Sequence, residues 1–172
     1  MNPASLKTER VLAIDPFSRG FGFAVLEGPD SLIDWGVSQT RQNKQSRSLK
    51  RIAELLGRYR PSVLVLEDWA DRSSRRCLRI RKLIRAAYEL ALKKRVKTRR
   101  LPRRTVRETF SLSVRLTRHQ IATVVATRFP ELAPRLPKPR KPWQSEDPSI
   151  RIFGAAAFAL AHFEQQTNSR PP

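Results

Sequence analysis

The sequence predicts an α/β fold, a mixed sheet flanked by helices. Three observations predict it. Three short strand-like runs follow one another closely at the start, at Arg10 to Ile14, Phe21 to Leu26 and Leu32 to Val37. A continuous apolar run, Val63-Leu64-Val65-Leu66, then has the character of a central strand covered on both faces. Helical spacing of apolar residues dominates most of what surrounds and follows that run.

The first two runs are joined by Pro16-Phe17-Ser18-Arg19-Gly20, a turn-forming connection that makes them a hairpin. Gly28-Pro29-Asp30 turns the chain into the third strand. Arg41 to Arg47 is polar and reads as loop. Leu49, Ile52, Ala53, Leu55 and Leu56 mark a helix that Gly57 and Pro61 should end. After the Val63 run, a long helix is expected from about Ser73 to Lys94, with Ile80, Leu83, Ile84, Ala87 and Ala91 on its apolar side. Val96 to Leu101 supplies a fifth strand and Thr105 to Phe110 a short helix. Thr117 with Gln120 three positions on forms a capping box, opening a helix whose stripe is Ile121, Val124, Val125 and Phe129. Pro130 to Pro142 reads as an extended basic loop. A last helix should run from near Pro148 to Glu164. Residues 1–164 are therefore expected to form one domain, followed by a disordered tail over 165–172.

Charge narrows the partners. Thirty-five Lys and Arg face 15 Asp and Glu, a net +20. A field of that sign attracts polyanions and accelerates encounter with them, so nucleic acid is the expected partner. No long apolar span is present, and a membrane is not expected. The single cysteine, Cys77, excludes an internal disulfide and a cysteine-rich zinc site. Met1 to Arg10 lacks the apolar core of a signal peptide, so the expected location is cytoplasmic.

Against this basic background, acids at strand ends stand out. Asp15 closes the first strand, Glu67 closes the Val63 run, and Glu146-Asp147 precedes the last helix. If the two strands lie side by side and parallel, both carboxylates leave the same sheet edge. An oxygen-rich cluster of this kind selects Mg²⁺ or Mn²⁺, and a pair of such ions activates water and stabilises a leaving oxygen at a phosphodiester. Asp147 has a competing role, since Asp before Pro at a helix start is an N-cap pattern. Glu146 is the alternative ligand. Asp68 should point away from Glu67 on an extended segment. Arg75, Arg76, Arg79 and Lys82 are candidate phosphate contacts, lacking acids four residues on to pair most of them. Lys138, Arg140 and Lys141 form a second basic group, and Trp69 and Trp143 are candidates for stacking on bases.

Val11 to Asp15, Gly20 to Val25, Val63 to Glu67 and Ala155 to His162 together resemble the RuvC-type branch of the ribonuclease H-like superfamily. The resemblance implies a five-stranded mixed sheet, a two-ion Mg²⁺ or Mn²⁺ site on Asp15 and Glu67, and hydrolysis of nucleic acid. It also implies branched DNA as substrate, as for a Holliday junction resolvase, and a homodimer, with structured RNA the alternative handled by YqgF-type relatives. The chain departs from the pattern in the last helix. Gly154 stands where the family has an acid, and Arg151 stands one turn earlier. Glu146 or Asp147 would have to substitute. Two functions are therefore expected: a metal-dependent endonuclease, or a nucleic-acid-binding module of the same fold with an impaired site.

Overall fold

A computed structural model of the chain describes residues 8–169. Its elements are β1 (Arg10–Phe17), β2 (Gly20–Glu27), β3 (Leu32–Gln39), α1 (Lys44–Tyr59), β4 (Val63–Glu67), α2 (Leu78–Lys93), β5 (Lys97–Leu101), α3 (Arg103–Phe110), α4 (Arg118–Arg128), a 3-10 turn (Pro130–Arg135) and α5 (Ile150–Asn168). The strands form one sheet in the order β3-β2-β1-β4-β5. The first three are antiparallel neighbours, while β4 runs parallel to β1 and β5 parallel to β4. This is the five-stranded mixed sheet of the ribonuclease H-like fold.

Successive side chains on a strand point to opposite faces, and that period of two sorts the core. Val11 and Ala13 on β1 and Val63 and Val65 on β4 pack with α4 and α5. Leu12, Ile14, Leu64 and Leu66 pack on the other face with α1 and α2. The α5 helix reaches the sheet closely because Ala155, Ala156, Ala157, Ala159 and Ala161 are small and buried. Gly22 on β2 is part of the same fit, since a Cβ there would overlap the Arg151 backbone.

Several boundaries differ from the sequence reading, each for a local reason. The α1 helix begins at Lys44, inside the stretch read as loop, and passes through Gly57 to Tyr59. Tyr59 is drawn in by burial and donates its hydroxyl to Asp34, so the stop falls at Arg60, just before Pro61. The α2 helix begins at Leu78 rather than Ser73. The Asp71 carboxylate accepts both the backbone N–H and the hydroxyl of Ser73, holding that segment in a turn. The basic loop after α4 opens with the 3-10 turn, in which Leu132 is buried. The capping box of Thr117 and Gln120 forms as expected. At the far end α5 continues to Asn168 rather than ending at Glu164. Gln165 accepts from Arg99 and Gln166 donates to Glu9, which anchors four residues assigned by sequence to a disordered tail. Positions 170–172 of that tail lie outside the described residues.

Candidate functional site

Asp15 and Glu67 meet. The parallel pairing of Ala13 with Val65, carried two residues further at the same offset, sets Asp15 beside Glu67. Both share the side of the sheet occupied by Val11, Ala13, Val63 and Val65, and so face α5. Both are buried, Asp15 at 0% exposure and Glu67 at 2%. Asp68, one residue on, takes a different route and pairs loosely with Arg100.

Two buried carboxylates side by side need compensation, and arginines supply it. Arg76, in the segment before α2, donates from Nη2 to Asp15 Oδ1 at 2.8 Å and from Nε to Glu67 Oε2 at 3.0 Å. Arg103, first residue of α3, repeats the same fork: Nη2 to Asp15 Oδ1 at 2.5 Å and Nε to Glu67 Oε2 at 3.0 Å. Arg151 on α5 approaches the other Asp15 oxygen, with Nη1 3.5 Å from Oδ2, and donates from Nη2 to Glu146 Oε2 at 2.7 Å. Arg118, at the start of α4, pairs with the remaining Glu146 oxygen. Three carboxylates thus alternate with four guanidiniums in one continuous lattice.

Gly154 completes the lattice by leaving room for it. A Cβ at this position would overlap Asp15 Oδ2 and stand 2.9 Å from its Cγ. The Asp15 carboxylate therefore lies directly against the α5 backbone, in the space a side chain would take.

Burial and charge act on these groups in opposite ways. Burial is the largest influence on Glu67 and raises its pKa. Arg103 pulls in the other direction without prevailing, and the Asp15 charge adds to the rise. For Arg103 burial works against the cation, but Asp15 and Glu67 more than offset it and the pKa is raised.

The donor set does not fit a divalent-cation pair. Such ions need carboxylate and carbonyl oxygens free to coordinate. Here Asp15 Oδ1 and Glu67 Oε2 each already accept from two guanidiniums, and a dication placed among them would face three positive charges. Among the described residues no group of three or more His, Cys, Asp or Glu could hold a metal ion.

The other expected site residues separate into three groups. Glu146 joins the site at one remove, through Arg151. Asp147 does not. It is exposed, its Oδ1 accepts the Ser149 N–H at 2.9 Å, and its carbonyl accepts from Ile150, so it closes the turn into α5 as a cap would. Arg76, expected on phosphate, is instead committed to the buried carboxylates because the Asp71 turn directs it inward. Arg75, Arg79 and Lys82 are exposed, as are Lys138, Arg140 and Lys141. Trp143 is exposed with the Lys141 ammonium near its ring, whereas Trp69 is packed against Tyr88 with the Arg100 guanidinium on it. Sequence reasoning missed Arg103 and Arg118. A signal for Arg103 existed: β5 pairs Leu101 with Glu67, so the first side chains beyond β5 necessarily land near that carboxylate.

No family model and no curated protein matches this sequence. Solved structures do match. The chain is similar to Thermus thermophilus RuvC in complex with a Holliday junction substrate, at 19% identity, TM-score 0.67, covering 95% of this chain and 99% of that one. It is similar to the yeast mitochondrial Holliday junction resolvase Ydc2 at 15% identity and TM-score 0.60, over 93% and 80% of the two chains. A third similarity is to the fowlpox virus resolvase in complex with Holliday junction DNA, at 16% identity and TM-score 0.55, over 90% and 99%. Over nearly its whole length this chain has the ribonuclease H-like fold of the Holliday junction resolvases.

Proposed function

We propose that this protein binds nucleic acid, with branched DNA the favoured form, and does so without metal-dependent cleavage. One observation carries the reading. The two carboxylates that the resemblance assigns to metal are each bridged by Arg76 and Arg103, while Gly154 stands where the family has an acid and Arg151 one turn earlier on α5. The Arg76 and Arg103 guanidiniums balance the two carboxylate charges at the sheet edge and leave the positive field around it. They supply no Lewis acid and no activated water. The excess charge remains outward, on residues such as Arg75, Arg79, Lys82, Lys138, Arg140 and Lys141, where phosphates are accessible.

Titration of labelled four-way junction, duplex, single strand and structured RNA tests this directly. The expected result is salt-dependent binding, strongest for the junction, with no product after prolonged incubation in Mg²⁺ or Mn²⁺ and no heat of Mn²⁺ binding by calorimetry. Cleavage that disappears in both Asp15→Asn and Glu67→Gln would overturn the non-catalytic reading. It would establish instead a metal-dependent endonuclease. That second reading has one observation in its favour, the convergence of Asp15 and Glu67 on adjacent parallel strands, and it requires Arg76 and Arg103 to leave the carboxylates.

A further inference from the structure

Beside the lattice lies a cavity of about 530 Å³ between α3, α4 and α5, with Gly154 and Arg103 on the wall it shares with the buried carboxylates. Its size falls in the range of small-molecule sites, roughly 300–1,000 Å³. The wall is apolar on its inner side, where Leu116 and Ile121 reach the cavity and Val106, Phe153 and Phe158 lie buried behind it. Five guanidiniums line it, from Arg103, Arg107, Arg115, Arg118 and Arg140, against one carboxylate, Glu146. That carboxylate is already matched by Arg118 and Arg151, so it leaves little negative charge to repel an anion. Arg103 and Arg118 are spent inside the lattice. Arg107 and Arg115 have no side-chain partner among the described residues.

An apolar wall beside free guanidiniums matches one ligand chemistry: a flat heteroaromatic ring carrying a phosphate. We propose that this cavity takes a single unpaired nucleotide, its base against the apolar wall at Leu116 and Ile121 and its phosphate on Arg107 and Arg115. This deepens the nucleic-acid-binding reading and rests on it, because the nucleotide belongs to a strand, extruded at a branch or bulge. A purely phosphate-directed surface would need no apolar wall, and a purely apolar ligand would need no arginine rim. The Arg103 guanidinium, 5.5 Å from the centre of the Phe158 ring, already covers that ring, so a base meets the aliphatic side chains of the wall.

The test compares three DNA duplexes by fluorescence anisotropy: fully paired, with one bulged adenosine, and with an abasic site at the bulge. Burial of the base against this wall predicts that the adenine bulge binds at least about 5-fold more tightly than the abasic one. Ala157→Leu, which places a larger side chain on the cavity wall, should bring that ratio to one and leave the Kd for paired duplex unchanged. A double variant, Arg107→Ala with Arg115→Ala, covers the case in which Ala157→Leu does not fold. It should lower the affinity for the bulge more than for the paired duplex, with thermal unfolding unaltered. A wild-type ratio of one with duplex binding intact would overturn the pocket while nucleic-acid binding stands. If no DNA binds, the broader reading fails, and titration with adenosine monophosphate decides the cavity. Saturable binding lost in both variants supports a free-nucleotide site, and no binding overturns it.

Discussion

The lattice at the ends of β1 and β4 and the cavity one helix turn away use the same side chain for opposite purposes. In the lattice, Arg76, Arg103 and Arg151 are held by carboxylates that water hardly reaches. At the cavity, Arg107 and Arg115 line the wall without a side-chain partner among the described residues. The net charge of +20 counts both kinds equally. Only the second kind is available to a phosphate, so the capacity of such a chain to bind polyanions is smaller than its charge suggests, and more localised.

The contrast is most severely tested inside the lattice. Arg103→Ala leaves Asp15 and Glu67 each one cation short, with Arg76 alone bridging them. Breaking a buried ion network in this way should cost about 3–5 kcal/mol, read by chemical denaturation. A loss below 1 kcal/mol would mean that the carboxylates are solvated and the lattice is loose.

Gly154→Ala comes next. Helix propensity favours the change by about 1 kcal/mol, but the added methyl meets a carboxylate that three arginines hold in place. Overpacking of this kind costs about 1–3 kcal/mol, so a net loss of stability is expected. A stabilised variant would show that Asp15 can move aside.

A third experiment uses pH. Because the pKa of Glu67 is raised in the folded state, its stabilising contribution is fully present below the ordinary value of 4.5 and is lost as pH rises through the raised one. Glu67→Gln lacks that loss. Stability curves from acid to neutral pH should therefore show the variant gaining on the wild type as pH increases. A flat difference, or one of opposite sign, contradicts the dominance of burial over the Arg103 attraction.

The smallest effect belongs on the surface. Arg85 and Glu89 on α2 form a pair with exposures of 68% and 56%. Removing Arg85 should change stability by no more than about 0.5 kcal/mol, screened further by salt. A larger change would erase the distinction between committed and uncommitted arginines.

Much of this architecture was legible in order of residues. The apolar run from Val11 to Ile14, the unbroken apolar run before Glu67 and the Thr117 capping box are local signals, and each led to the element that formed. The convergence of Asp15 and Glu67 was legible on the condition that their strands lie adjacent and parallel, which the sheet meets, although β1 runs past Asp15 to Phe17. The fate of Asp147 was not, since a cap and a ligand share the same Asp-Pro signature and differ only in where the carboxylate turns.

The residues by themselves determined a basic α/β chain with an acid directly after each of two apolar strand runs, because strand runs and charge are read from short segments. Only the tertiary structure decided what neutralises those acids. Arg76 and Arg103 lie 61 and 88 positions from Asp15 in the chain, and no local pattern links them to it. The sheet order, the turn at Asp71 and the start of α3 just beyond β5 bring their charges together where burial makes pairing obligatory.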